Sequence, residues 1–402
     1  MVWQFIHIID IALWLLMAAS VAYILFFALV STLWKKRVSR LTTYLTGQVL
    51  SMRKKDFYYY LILYPAYNED RVIVNSVQKF LAQYYPYSCF HVAVISDHMQ
   101  PETNQKLSEL PITLLQPVFE KSSKAKAMQY AMDQIKDDYD FIVILDADNV
   151  VESHFLEQLN EECAKGYKAI QCHRCAKNND NDIAVLDGVS EEINNTIFRK
   201  AHNRIGLSSA LIGSGMCFDF QWFKENVYKL TTAGEDRELE ALLLQQKVYI
   251  QYEPDIHVFD EKVSNKDNFQ KQRLRWMTAQ IQSLFRLLPY IPKAIMTFNW
   301  DYIDKTIQQA LIPRSMLVVG ALGMSLVMTA FSLFFSLSWY IKWWCLFLAV
   351  CIALYIATPK QLRKHSVFGK ILSLPKLVWK MALNILKIDH KNTDFIHTTH
   401  DK

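Results

Sequence analysis

A long apolar stretch near the amino terminus constrains this chain more than any other feature. Residues 5–34 contain no Lys, Arg or Glu and a single Asp, Asp10. As a helix, this stretch is longer than the hydrocarbon core of a bilayer, which is about 30 Å thick. A cleaved secretory signal would have a shorter core with its positive charges in front. Here the basic residues come directly after, so we predict a retained anchor followed by a cytoplasmic chain. These residues are Lys35, Lys36, Arg37 and Arg40.

Two further apolar stretches lie towards the other end of the chain. Residues 317–337 carry no charge, and residues 343–357 follow after a short connection that contains Lys342. The second stretch is short for a span, but Trp339 and Tyr340 extend it as interfacial residues. Basic residues come next, so we predict a two-helix hairpin that returns the chain to the cytoplasm. The basic residues at these edges explain the net charge of +5, and no nucleic-acid partner is needed.

The sequence FIVILDADN, residues 141–149, places two carboxylates directly after a short apolar run. Such a run suits a strand that is buried on both faces. Asp146 and Asp148 would then emerge at its carboxyl end, where open α/β sheets bind their ligands. Two carboxylates separated by one small residue suit a divalent metal ion. An acidic loop after a core strand is the alternative.

Acidic residues also follow two earlier strands. The strand predicted at 58–64 leads into PAYNED, with Glu69, and the strand at 91–96 ends at Asp97. Helical stripes of apolar residues separate these strands, and this alternation predicts a parallel, doubly wound α/β sheet. The acidic residues would then share one edge of the sheet. Neither a P-loop nor a dinucleotide-binding glycine motif is present, so we predict a nucleotide held by strand-end carboxylates and a metal.

Three later motifs have both a functional and a structural explanation. Gly213 and Gly215 flank Ser214 in a segment that either approaches a ligand closely or forms a plain turn. In the sequence GED, residues 234–236, Asp236 lies at a helix start, where capping alone could explain it.

The third motif is QRLRW, residues 272–276. Gln272, Arg275 and Trp276 lie at helical positions i, i+3 and i+4 and therefore share one face. We predict that Arg273 points away from them, as a solvated or lipid-facing charge. Packing against membrane helices is the alternative explanation for Trp276.

Seven cysteines are scattered along the chain. Cys172 and Cys175 form one C-x-x-C sequence around His173, but no second pair stands at zinc-finger spacing. We interpret them as ordinary reduced cysteines at a strand end, rather than as a metal or redox site.

Taken in order, these motifs resemble glycosyltransferase family 2, particularly its membrane-integrated members such as cellulose, chitin and hyaluronan synthases. The resemblance covers about residues 58–288 and implies a Rossmann-like GT-A domain in the cytosol. PAYNED resembles the family's nucleotide-binding turn, DAD its metal motif, GED its T-E-D motif and QRLRW its Q-x-x-R-W motif. Asp97 matches the uracil-contacting aspartate. Lys124 matches the basic residue beside the diphosphate, although Ala125 follows where the family often has glycine.

The resemblance implies a role for each matching residue in inverting transfer from a UDP-sugar. Asp236 would be the catalytic base, and Asp148 with Asp146 would hold Mg²⁺ or Mn²⁺, Asp146 leaning towards the nucleotide. His257 is either a third metal ligand or a structural histidine. The other nucleotide-binding residues would be Pro65, Tyr67, Glu69, Asp97 and Lys124. The residues near the diphosphate or acceptor would be Gln272, Arg275, Trp276, Gly213, Ser214, Gly215 and Glu235.

The product is less constrained than the reaction. Phe395 and Thr398 lie in a tail that resembles the gating loop of cellulose synthase, although His397 and His400 replace its Val and Lys. That likeness favours a growing β-linked polysaccharide. Three membrane helices are few for a polymer pore, so a polymer would need a homo-oligomer or an export partner. The alternative is transfer of one sugar to a lipid acceptor, as in ceramide glucosyltransferases. A non-catalytic nucleotide sensor would not need Asp236.

The predicted organisation has five parts in a multi-pass protein of the inner or plasma membrane. They are an anchor with its basic flank (1–40), a GT-A domain (41–288), amphipathic interface segments (289–312), a transmembrane hairpin (313–358), and an amphipathic helix and tail (359–402).

Overall fold

The computed structural model describes residues 2–34, 55–178, 181–232, 234–263, 266–331 and 337–363. The predicted gating residues Phe395 and Thr398 lie outside these ranges, as does most of the predicted tail helix. Eight strands form one sheet: β1 (Tyr60–Tyr67), β2 (Phe90–Asp97), β3 (Thr113–Leu115), β4 (Phe141–Ile144), β5 (Val150–Val151), β6 (Ala169–Ala176), β7 (Met216–Asp219) and β8 (Ile250–Asp260).

Helices precede, separate and follow these strands. Those up to β8 are α1 (Val2–Leu33), α2 (Ile73–Leu81), α3 (Pro101–Ser108), α4 (Lys124–Gln134), α5 (Phe155–Cys163), α6 (Asp182–Asn194), α7 (His202–Arg204), α8 (Phe220–Asn226) and α9 (Glu235–Gln245). A π-helical segment, Asn195–Ala201, joins α6 to α7. After β8 come α10 (Lys266–Leu287), α11 (Ile291–Met296), α12 (Trp300–Ala310), α13 (Arg314–Ala330), α14 (Leu337–Ala357) and α15 (Lys360–Arg363).

The sheet is mixed, with the order β3-β2-β1-β4-β7-β6-β8-β5. The first four strands are mutually parallel, as predicted. The prediction of a wholly parallel sheet is wrong because β7 enters between β4 and β6 and is antiparallel to both. β5 is also antiparallel to β8. The curled second half therefore brings β8 and β5 round beside the carboxyl end of β4.

The central strands are buried on both faces, which explains their continuous apolar sequences. In β1, Ile62 and Tyr64 pack with α2 and α5 on one face. Leu61 and Leu63 pack with α4, α8 and α9 on the other. The domain is thus a sheet between two helical layers, and the strand ends are held by core packing on both sides.

Within the part of the chain that the structure describes, two helices are long and apolar enough to cross a membrane, with apolar windows at Gln4–Leu33 and Trp339–Ala357. A third candidate is α13, which is bent by 51° from α12 across a short break. The predicted count of three therefore becomes two or three. α1 and α13 both pack against α14, and Asp10 of α1 is buried where Lys342 and Trp343 of α14 donate to it.

The segment predicted as interface helices folds as α11 and α12. One face of α12 packs into the domain, where Lys305 forms an ion pair with Glu240 of α9 at 2.6 Å. Trp300 and Ile307 of the same helix are exposed. α12 therefore connects the α/β domain to α13, and it packs on that domain along one face.

Candidate active site

A cavity of about 870 Å³ lies at the carboxyl ends of β1, β2 and β4. It extends between the sheet and α10, and then towards α13 and α14. This position agrees with the predicted binding edge, since ligands of open α/β sheets bind beyond the carboxyl ends of the strands.

The ends of β1 and β2 are joined by their backbones. Tyr67 lies opposite Asp97 in the parallel ladder, and Asn68 N donates to Asp97 O at 3.2 Å. The Asp97 side chain is buried, and Nδ1 of His98 lies 2.5 Å from its Oδ1. Pro65, Tyr67, Glu69 and Asp97 all line the cavity. The structure therefore brings together four of the residues predicted to bind the nucleotide.

The two DAD carboxylates lie in a tight turn after β4. Asn149 N donates to Asp146 O and Asp146 N donates to Asn149 Oδ1, both at 3.0 Å. Asp148 is nearly buried and accepts from Asn149 Nδ2 at 3.1 Å and from Glu261 N at 2.8 Å. The Asp146 side chain is one-third exposed. Both line the cavity, and this set of oxygen ligands fits a hard divalent ion such as Mg²⁺ or Mn²⁺.

Lys124 connects three parts of the site. Its Nζ donates to Asp146 Oδ1 at 2.5 Å and to Gly213 O at 2.6 Å, and it lies 3.8 Å from Glu235 Oε1. Burial alone would lower the pKa of Lys124, but the carboxylates of Asp146 and Glu235 more than offset this and raise it. Lys124 is therefore a fixed, permanently charged cation beside the DAD turn.

The segment formed by residues 213–215 lies partly at the cavity and partly in the core. Gly213 lines the cavity, and a Cβ at its position would lie 3.8 Å from Asp236 Oδ2. Gly215 has a positive φ, and a Cβ there would lie 2.9 Å from Val258 Cγ2. Ser214 is fully buried, and its Oγ has no hydrogen-bond partner among the described residues. Gly213 thus faces the cavity, whereas Ser214 and Gly215 pack into the sheet.

Glu235 and Asp236 form the first turn of α9, after the cap residue Gly234. Burial raises the pKa of Glu235 to about 7; Lys124 opposes this shift and Asp236 adds to it. Asp236 Oδ1 accepts from Arg237 N at 2.8 Å, and the same N–H also donates to Gly234 O at 3.1 Å. Both carboxylates also line the cavity, so capping of α9 is not the only role open to them.

The QRLRW residues of α10 form the wall opposite the sheet. Gln272, Arg275 and Trp276 line the cavity, as their shared face predicts. The prediction for Arg273 is wrong, because this residue lines the cavity too and pairs with Asp187 at 2.5 Å. Its guanidinium carbon lies 4.8 Å from the Trp276 ring centre, so it covers one face of that ring.

Sequence reasoning missed an ionic group beside the DAD turn. Asp260, at the end of β8, pairs with Arg174 and Lys262, each at 2.8 Å. Burial would raise the pKa of Asp260, but Arg174 and Lys262 overcome this and hold it at about 2. Asn149 Nδ2 links Asp260 to Asp148. The available signal was the position of Asp260 after a strand, the same pattern that identified Asp97 and Asp146.

His257 does not join the DAD carboxylates as a third ligand. Successive side chains of a strand point to opposite faces, so His257 lies on the face of β8 opposite to Val258 and Asp260. There it adjoins His173 and Cys175 of β6. Cys175, interpreted from the sequence as an ordinary reduced cysteine at a strand end, therefore lies in one cluster with two histidines.

The far part of the cavity is mostly apolar. Ile24 of α1 lines it, together with apolar residues of α13 and α14, which are Val318, Val319, Leu322, Phe347, Cys351 and Leu354. Arg314 and Ser315 at the start of α13 and Tyr355 near the end of α14 also line it. One continuous space therefore connects the carboxylates at the strand ends with the helices that are apolar enough to lie in a membrane.

Comparisons with known proteins bear on the family and the fold. The model of the family described as "Glycosyltransferase like family 2" matches residues 59–279, more than half of the chain. A search of curated proteins found no match.

Among solved structures, the chain is similar to a mannosyltransferase from Pyrobaculum calidifontis in complex with GDP-Man and Mn²⁺. The TM-score is 0.53 at 15% identity, over 86% of this chain and 98% of that one. It also matches TarS residues 1–349 from S. aureus, with a TM-score of 0.43 at 13% identity over 83% and 95% of the two chains.

Proposed function

Since this chain belongs to glycosyltransferase family 2 and has the GT-A fold, we propose that it is a membrane-bound inverting enzyme that transfers a sugar from a UDP-sugar to a lipid acceptor. The observation that carries this proposal is the continuous cavity, which is charged at the strand ends and apolar between α13 and α14. A lipid could present its hydroxyl to the charged end while its chains remain among apolar side chains. Residues 41–288 would form the catalytic domain on the cytoplasmic side of the inner or plasma membrane, with α1 and the α13–α14 hairpin as its membrane part.

The donor would lie along the strand ends. Asp97 would accept from the base, and Pro65, Tyr67 and Glu69 would form the surrounding wall. Lys124 and Arg275 would neutralise the diphosphate, Lys124 being already fixed by Asp146 and Gly213. Asp148, with Asp146, would hold Mg²⁺ or Mn²⁺, which when bound supplies positive charge for the departing diphosphate.

The chemical step needs a base on the acceptor side. As the acceptor oxygen bonds to the anomeric carbon, the bond from that carbon to the diphosphate breaks and the hydroxyl proton must leave. We assign the proton to Asp236, which lines the cavity beside Gly213. Glu235 would hold Lys124 in place from the same helix turn. Gln272 and Trp276 would contact the acceptor from α10.

Elongation of a β-linked polysaccharide is the second candidate. The observation that favours it is that Gln272, Arg275 and Trp276, which match a motif of the polysaccharide synthases, all line the cavity. A polar sugar chain would have to pass the apolar wall of α13 and α14, so this function would require an oligomer or an export partner.

A substitution that fills the apolar part of the cavity tests whether the acceptor is a lipid. Val318→Trp fills the apolar part of the cavity, far from the strand ends. We expect this variant to bind UDP with the same affinity as the unaltered protein, but to lose transfer of labelled sugar into the organic phase of a lipid extract. Leu326→Trp is the matched control, because Leu326 lies on the exposed side of the same helix. A long, water-soluble labelled product, or full transfer by Val318→Trp, would contradict the proposal.

A further inference from the structure

Three side chains with nitrogen and sulfur ligand atoms meet on the face of the sheet that points away from the donor site. His173 and Cys175 come from β6 and His257 comes from β8, and their ligand atoms all lie within 4.8 Å of one another. The two imidazole ring centres are 5.3 Å apart. None of the three is needed for the proposed glycosyl transfer, so the cluster requires a separate explanation.

An irregularity in strand pairing creates this meeting. Cys172 pairs with Glu253, but the next residue, His173, pairs with His257, so residues 254–256 have no partner in β6. Without this bulge, His257 would be displaced along β8 from His173. The alternation of a strand then places Cys175 on the same face as His173, while Arg174 between them faces the cavity.

Two carboxylates adjoin the cluster. Glu192 of α6 lies 3.0 Å from His173 Nε2, and Glu152 lies 3.8 Å from His257 Nδ1. Burial and Glu192 raise the pKa of Cys175 to about 12, so its thiol keeps its proton in the metal-free protein. A divalent cation would replace this proton and compensate the nearby carboxylates.

We propose that His173, Cys175 and His257 form a binding site for zinc, with Glu192 or a water molecule as the fourth ligand. Imidazole and thiolate are the ligands that zinc prefers, whereas Mg²⁺ and Mn²⁺ prefer the oxygen ligands of Asp146 and Asp148. In tetrahedral zinc sites the ligand atoms lie about 3.3–3.8 Å apart, so the three side chains would close by about 1 Å on binding. The ion would clamp β6 to β8 at the bulge.

Metal binding by the purified full-length protein tests the site. The protein is stripped with a chelator in detergent and titrated with Co²⁺, which gives a thiolate-to-cobalt charge-transfer absorption band when a cysteine ligates it. We expect the band at a stoichiometric equivalent and its loss when zinc is added. Cys175→Ser should abolish the band, and His257→Ala should weaken Co²⁺ binding by at least about tenfold.

Two controls separate this site from other metal binding. Asp148→Asn should keep the band, since that carboxylate belongs to the donor site. Cys89→Ser should keep it as well, because Cys89 lies elsewhere in the domain. If Cys175→Ser fails to fold, alkylation of Cys175 in the unaltered protein replaces it: bound zinc should protect this thiol. Absence of the band in the unaltered protein, its persistence in Cys175→Ser, or unprotected alkylation would overturn the proposal.

Discussion

Glu235 and Asp236 are neighbours in one helix turn, yet their surroundings differ. Glu235 is nearly buried and faces Lys124, so its charge is already engaged in holding that cation. Asp236 lines the cavity beside Gly213, where a side chain would begin 3.8 Å from the Asp236 carboxylate. The glycine thus leaves room for an acceptor hydroxyl, which is the reason to assign the base to Asp236.

Asp236→Asn tests this assignment at nearly constant shape. The amide can still accept from Arg237 N but cannot take a proton, so we expect transfer to fall by about 10²–10⁴-fold while the affinity for UDP stays unchanged. Transfer is measured with labelled donor and UDP binding by calorimetry. Substantial turnover by the variant would remove Asp236 from the base role.

Glu235→Gln should change how stability depends on pH. The pKa of Glu235 is about 7 in the folded protein and 4.5 ordinarily, so the folded state binds more protons between these values. The stabilisation is complete below about pH 4.5 and is lost as the pH rises through 7. We therefore expect the midpoint of thermal unfolding to fall less between pH 5 and pH 8 in the variant than in the metal-free unaltered protein. An equal fall in both proteins would contradict the shift.

At the level of the elements, the segment formed by residues 213–215, which leads into β7, depends on the backbone conformation of Gly215. Gly215 has φ +63°, and its N–H donates to Ile144 O of β4 at 2.9 Å while its carbonyl accepts from Cys172 N of β6 at 2.8 Å. It therefore bridges the two strands at the point where β7 enters between them. A side chain at this position meets both an unfavourable φ and the β8 side chain Val258.

Gly215→Ala should accordingly destabilise the domain by at least about 1–2 kcal/mol, the cost of the left-handed conformation alone. Thermal unfolding in detergent measures the loss. The matched control is Gly323→Ala in α13, where no heavy atom lies within 4 Å of the added methyl group, and little change is expected. Equal unfolding temperatures for the Gly215 variant and the unaltered protein would contradict the close packing.

The strand that follows this segment, β7, could not be predicted from the sequence. The three strands predicted from apolar runs are all present, as β1, β2 and β4, because continuous apolar sequences favour burial on both faces. β7 was missed because its four residues follow Gly-Ser-Gly, which suggests a turn, and its antiparallel pairing depends on contacts distant in sequence.

At the scale of the whole molecule, local motifs predicted the residues at the strand ends but not the way the site is enclosed. Asp97, Asp146 and Lys124 follow recognisable strand ends or helix starts. Arg273 and Asp187 meet across 86 positions, and no spacing rule could pair them. The apolar end of the cavity was also unpredictable, since it requires α13 and α14 to line the same space as strand ends far away in the sequence. In the proposed reaction, these long-range contacts would decide which acceptor the site can admit.

The buried contact between Asp10 and Lys342 also has a consequence for how the chain is made. In the proposed membrane arrangement, its partners lie 332 positions apart, so α1 leaves the ribosome long before its cation is synthesised. A lone aspartate within a bilayer costs about 2.5–3.5 kcal/mol at the centre of a helix and less near its end. In that arrangement the first helix would be inserted as an incomplete unit, and its depth and rotation would become fixed only when α14 is inserted. Chains that stop short of α14 would present an unpaired acid in the membrane, a mark by which cellular quality control can recognise and remove them.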